Sequence, residues 1–156
     1  MNPVEEDRLA AAERGENPTV LARMRTGWAV IDDSRLLLLL YAGRADHLTD
    51  LPRGERARFP LDLSLLGEAV EIACRGPETG LRRLNYEVSG NSWHHLHGQV
   101  HPRYDWEPAH LRRGPVWRYG DTRTAPEHSP GPRHDGLRAD LTRALTDVLA
   151  EAYREH

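Results

Sequence analysis

The chain has 156 residues, a formal net charge of −3 and 38% hydrophobic residues, so one domain with a sizeable core is expected and the mean hydropathy of −0.69 reads as a soluble protein. The single cysteine, Cys74, excludes an internal disulfide and a thiolate zinc cluster. The negative charge argues against a nucleic-acid partner, and the leucine run Leu36 to Leu40 is far too short to span a membrane.

Residues 1–18 read as a polar lead, with a short helix over Glu5 to Arg14. The acidic, polar start carries no signal-peptide pattern, so a cytoplasmic location is expected. "GWAVID" (27–32) reads as a strand. Asp32, Asp33 and Ser34 read as a turn, and "RLLLLLY" (35–41) as a second strand, buried on both faces. "DLPRGERARF" leads into a helix whose stripe is Leu63, Leu66, Val70 and Ala73. Pro60 is expected to confine the regular helix to the residues after it, or to kink it. "CRGPETG" ends it.

"LRRLNYEV" (81–88) reads as a third strand, and Ser89, Gly90 and Asn91 as the turn after it. The fourth strand is the run "HHLHGQVHPRY" (94–104). Side chains alternate faces along a strand. His95, His97, Gln99 and His101 therefore line one face, and Leu96, Gly98 and Val100 the other. Pro102 is expected to end regular pairing. Residues 105–136 read as an irregular excursion, and residues 137–154 as a C-terminal helix with a stripe of Leu137, Leu141, Leu145, Val148 and Ala152. No internal repeat is visible. A hairpin of strands with helices beside it indicates an α+β fold on an antiparallel sheet, with the helices packed on one side.

All 21 cationic side chains are arginine, with no lysine. Arginine suits phosphate through bidentate hydrogen bonds, though biased codon usage is the simpler explanation.

The stretch "LNYEVSGNSWHHLHGQVHPRYDWEP" resembles the histidine triad (HIT) family. Members carry His-x-His-x-His on a strand, or His-x-His-x-Gln in the branch that includes galactose-1-phosphate uridylyltransferases. The matching elements are Asn85-Tyr86, Gly90-Asn91, His95-Leu96-His97 and Pro102-Arg103-Tyr104, in the family's order. The resemblance spans roughly residues 17 to 120. It implies a HIT-like sheet, a homodimer and nucleotidyl transfer through a covalent nucleotidyl-histidine intermediate. The substrate would be a nucleoside phosphate ester, anhydride or phosphoramidate.

Carried over by position, His97 is the nucleophile, His95 fixes the site's hydrogen bonding and Gln99 holds a phosphoryl oxygen. Asn85, Asn91 and Ser92 face the phosphates, and Asp33 or Asp32 binds ribose. His101, which stands where an apolar residue is usual, is taken as a further substrate-binding residue, and His94 stands where proline is common. The chain has Gln99 where the small hydrolases have histidine, which points to transfer to phosphate or a phosphorylated acceptor as well as to hydrolysis.

The chemistry suits the residues. Imidazole, with an unperturbed pKa of about 6.5, is largely neutral near pH 7 and attacks phosphorus without a separate base. Amide donors such as Gln99 can stabilise the non-bridging oxygens. No cofactor and no protein-bound metal are expected. Two other readings compete. His95 and His97, with His101 or His94, could ligate a metal ion, or the chain could bind nucleotides without turnover.

Overall fold

A computed structural model of the chain describes residues 8–32, 35–40, 45–88, 94–126 and 131–155. Its strands are β1 (Val20–Arg23), β2 (Gly27–Asp32), β3 (Arg35–Leu40), β4 (Leu81–Glu87) and β5 (His97–Tyr104). They form one antiparallel sheet in the order β1-β2-β3-β5-β4. β2 and β3 pair without a slip from Gly27–Leu40 to Asp32–Arg35. Asp32 is thus strand rather than turn. β3 lies at the centre, between β2 and β5, a position that suits an unbroken leucine run.

The helices are α1 (Arg8–Glu13), α2 (Arg53–Cys74), α3 (Ala109–Arg112) and α4 (Asp135–Glu155). The long pair, α2 and α4, pack on each other and on one face of the sheet. The core there joins Ala29 and Ile31 of β2 and Val100 of β5 to Phe59, Leu63, Leu66 and Val70 of α2 and Leu141, Leu145 and Val148 of α4. The alternate residues of β2 face the other way. Val30 is buried with Trp28, Val20 and Leu9, a small cluster under α1. The helices expected on one side are therefore the two long ones, and α1 covers part of the opposite face.

α2 starts at Arg53 and runs through Pro60. Proline removes one helical hydrogen bond and crowds the carbonyl four residues back. Here Pro60 lies on the exposed side while Phe59 and Leu63 are buried beside it, so packing holds the turns that the proline weakens. Arg56 also bonds the carbonyls of Leu51 and Thr49, at 2.7 and 2.6 Å, and so ties the helix start to the preceding turn. In α4 the stripe begins at Leu141, since Leu137 is exposed.

A buried carboxylate ties the two long helices to the sheet. Asp62 of α2 accepts from the backbone N–H and hydroxyl of Thr26, in the β1–β2 turn, both at 2.7 Å. Its second oxygen accepts from the Tyr153 hydroxyl of α4 at 2.7 Å. Burial first, then the Asp62 carboxylate, push the Tyr153 phenol well above its ordinary range, so it stays a donor at neutral pH.

β5 is seated by a glycine. A Cβ at Gly98 would lie 2.8 Å from Leu63 Cδ1. The bare backbone lets the strand lie close on α2, which fixes the height of its other face.

Candidate active site

That other face carries the polar row. His97, Gln99, His101 and Arg103 of β5 alternate with Gly98, Val100 and Pro102, and all four are buried although polar. β4 extends the row sideways. Asn85 pairs with His101, and Glu87 with Gln99, so both stand on the same face. Buried polar groups need partners, and a row of them on the sheet face away from the long helices is a candidate site.

The strand begins at His97, not at His94. The Leu96 N–H bonds the Ala45 carbonyl at 2.8 Å, which turns residues 94–96 away from the β3 ladder, whose last pair is Leu39–His97. His95 thus lies in a bend, and its backbone reaches the row. Its carbonyl accepts from Nδ1 of His97 at 2.8 Å. A carbonyl can only accept, so the neutral His97 ring carries its proton on Nδ1 and a lone pair on Nε2.

Gln99 and His101 form the next pair. Nε2 of His101 lies 3.0 Å from Oε1 of Gln99. The same nitrogen is 3.7 Å from Oε2 of Glu87. Trp117 donates its indole N–H to that Glu87 oxygen at 2.5 Å and meets the His101 ring edge-on at 6.1 Å.

At the end of the row Arg103 is held by its own neighbours. Its Nε and Nη2 bond the Glu107 carboxylate, with distances of 2.7 to 3.2 Å. Its remaining donors reach the Gly114 and Leu111 carbonyls. Glu107 also accepts from the Tyr119 hydroxyl at 2.6 Å and the Tyr104 N–H at 2.7 Å. Burial pushes the Glu107 carboxyl up, but the bonds from Arg103, Tyr119 and Tyr104 outweigh it and hold it below its ordinary range. Tyr119 is pushed up to about 12, by burial and by the Glu107 carboxylate. Arg103 and Glu107 stand four residues apart with opposite charges, and the structure pairs them. β5 continues past Pro102 to Tyr104 because β4 still pairs there. The β3 ladder has ended at Val100, so the missing proline N–H falls on a stretch without a second strand partner.

Of the residues singled out in the sequence, the structure brings together His97, Gln99, His101 and Asn85, with His95 joined through its carbonyl. Asp33, Asn91 and Ser92 lie outside the described residues. Sequence reasoning missed Glu87 and its contact with Trp117. Glu87 was within reach, because it stands two residues after Asn85 on a strand and so shares its face. Trp117 reads from sequence as an aromatic residue for packing or for stacking on a base, and nothing local pairs it with Glu87, since it arrives from the irregular excursion. Among the described residues no three His, Cys, Asp or Glu side chains gather as metal ligands.

The sheet and the two long helices match the fold of histidine triad proteins. Solved structures share it. A histidine triad protein from Sinorhizobium meliloti 1021 has a TM-score of 0.62 at 21% identity, over 85% of this chain and 93% of that one. One from Marinobacter aquaeolei VT8 has a TM-score of 0.59 at 21% identity, over 85% and 88%. A zinc-bound histidine triad family protein from Mycobacterium smegmatis has 0.54 at 17% identity, over 94% of each chain. At these identities the likeness establishes the fold. No protein-family model matches the chain, and no curated protein does.

Proposed function

We propose that the protein is a HIT-type nucleotide hydrolase or nucleotidyltransferase in which His97 forms the covalent intermediate. The observation that carries this reading is the bond from His97 Nδ1 to the His95 carbonyl, which leaves the lone pair on Nε2 of a buried, strand-held ring. The HIT fold of the neighbours supports it.

Nε2 attacks the α-phosphorus of a nucleoside phosphate ester, anhydride or phosphoramidate. A P–N bond forms, and the bond to the leaving group breaks with its electron pair going to that group. The positive charge on the ring is offset by the His95 carbonyl, which keeps the Nδ1 proton. Gln99 and Asn85 supply amide donors to the phosphoryl oxygens. Water or an anionic phosphate oxygen then attacks phosphorus, the P–N bond breaks, and Nε2 recovers its lone pair. Strand backbone is a rigid support for in-line attack.

The same reading includes a homodimer. β4 is an edge strand of the sheet, and Tyr86 and Val88 beside that edge are exposed. Light scattering that gives a single-chain mass at micromolar concentration counts against it. Among the described residues no helix is long and apolar enough to cross a membrane.

The test of the reaction is intact mass after incubation with a panel of nucleotides and nucleotide sugars. An added nucleotidyl group that maps to His97 is expected. Turnover of any of these substrates without an adduct, undiminished in His97→Ala, overturns the reading.

A further inference from the structure

The third position of the row is an amide, and an amide has two unlike ends. Its N–H2 end donates to a phosphoryl oxygen, whereas its carbonyl end repels one. Gln99 is useful to phosphate in one orientation only. Rotation of the amide by half a turn costs little sterically, so something must hold it.

We propose that His101, with its proton placed by Glu87, is the positioning residue that fixes Gln99 as an N–H donor toward the reacting phosphate. The inference rests on the nucleotidyl reading above and deepens it. Nε2 of His101 stands 3.7 Å from the Glu87 carboxylate. A lone pair on that nitrogen would face a negative charge, while an N–H there is attracted to it. Glu87 therefore selects the Nε2–H tautomer. That N–H then meets Gln99 at 3.0 Å, and the amide must turn its oxygen to it. The amide nitrogen is then the end that can donate to the phosphate.

Glu87 is itself held. The Trp117 indole donates to it, and the edge of the His101 ring is set against the Trp117 ring. The series Trp117, Glu87, His101, Gln99 is thus a chain of directed hydrogen bonds and charge, each member fixing the polarity of the next. His101 is 3% exposed and stands beyond Gln99 along the strand from His97. It acts on the phosphate through Gln99.

The test compares the native protein with His101→Gln, His101→Phe and Glu87→Gln. Glutamine retains an N–H donor near the Nε2 position, while phenylalanine keeps the ring volume without one. The first readout needs no substrate. Long-range proton–nitrogen spectra should place the His101 proton on Nε2, and Glu87→Gln should mix the tautomers. The Gln99 side-chain amide signals should move in His101→Phe and return toward native in His101→Gln. The second readout is calorimetric titration with AMP and with UMP. His101→Phe should weaken binding by about tenfold, one hydrogen bond's worth, and His101→Gln should recover most of it.

A His101 proton on Nδ1, or His101→Phe binding like the native protein while AMP or UMP still binds, overturns this inference alone. A native protein that binds neither nucleotide and forms no adduct overturns the nucleotidyl reading, and Gln99's role toward phosphate with it. The spectra would in that event still decide whether His101 fixes the amide.

Discussion

The polar face of β5 has two ends that look alike in sequence and differ in kind. At one end Arg103 meets Glu107 and the Leu111 and Gly114 carbonyls, all within the next eleven residues of chain. At the other end His97, Gln99 and His101 are bonded so as to be polarised. One nitrogen of His97 is tied back to its own strand's approach, and one end of Gln99 is tied to His101. Saturation marks the Arg103 end as a staple that holds the excursion of residues 105–119 onto the sheet. Direction at the His97 end is what the proposed chemistry requires. The arginine motif residue that sequence alone could offer to a phosphate is already committed to Glu107.

The sharpest way to break that contrast is to remove one member from each end. His97→Ala should lower turnover of any accepted substrate by at least about a thousandfold and abolish the adduct, as for other covalent catalysts. Its melting temperature should change little by comparison. A variant with near-native rates places the nucleophile elsewhere.

Glu107→Gln should do the reverse. It leaves the Arg103 guanidinium buried beside a neutral amide, a change that costs about 3–5 kcal/mol, read as a lower midpoint in urea. Where the variant remains folded, its rate should fall far less than that of His97→Ala. The native pair also carries a pH signature. The Glu107 carboxyl is held below its ordinary range by Arg103, Tyr119 and the Tyr104 N–H, against the opposing push of burial. Its stabilisation is therefore complete above the unfolded value of about 4.3 and is lost as the pH falls through the lower folded value. Urea midpoints should drop on acidification below about pH 4 in the native protein and less steeply in Glu107→Gln. Equal acid sensitivity in the two would remove Glu107 from the account.

Much of this face was legible. Alternation placed His97, Gln99 and His101 together, and turn residues bounded β2, β3 and β4 to within a residue. The rest failed for identifiable reasons. Alternation cannot say where a ladder starts, and β5 starts at His97 because the Leu96 N–H is committed to Ala45. β1, at Val20–Arg23, is four residues with one buried side chain, too short to show a period. α2 runs through Pro60 because tertiary burial of Phe59 and Leu63 outweighs a local penalty. The Arg103–Glu107 staple was half visible as opposite charges four apart. The Glu87–Trp117 contact joins residues 30 apart and has no local pattern.

The two faces of β5 sharpen the comparison further. Gly98→Ala touches neither end of the row, but its new Cβ meets Leu63, at 2.8 and 2.9 Å to its methyl groups and 3.3 Å to Cγ. The leucine tip can yield, though in a packed core only partly. The expected cost is about 1–3 kcal/mol, seen in urea, with a smaller loss of rate as the strand lifts from α2. A stability unchanged within error means that β5 does not depend on close seating.

The smallest expected change concerns Gln99, and it separates transfer from hydrolysis. An amide holds no proton that titrates near pH 7, so Gln99 can bind a phosphoryl oxygen but cannot act as acid or base toward water. Gln99→His supplies such a group. The His101 N–H, directed at position 99 by Glu87, would be accepted by one nitrogen of the new ring and leave the other as the N–H facing the phosphate. That ring keeps the donor geometry of the amide and adds a titratable proton. Hydrolysis of the nucleotidyl-His97 intermediate should then rise by about tenfold, while the native intermediate should persist in water and be consumed faster when inorganic phosphate is supplied. Quenched mass analysis of the adduct lifetime, with and without phosphate, measures both. Against the expectation stands the small size of the chain, which gives a second substrate little surface to bind. Rapid loss of the native adduct in water, indifferent to phosphate and to Gln99→His, would reject a preference for transfer and leave water as the acceptor, with Gln99 a phosphate ligand alone.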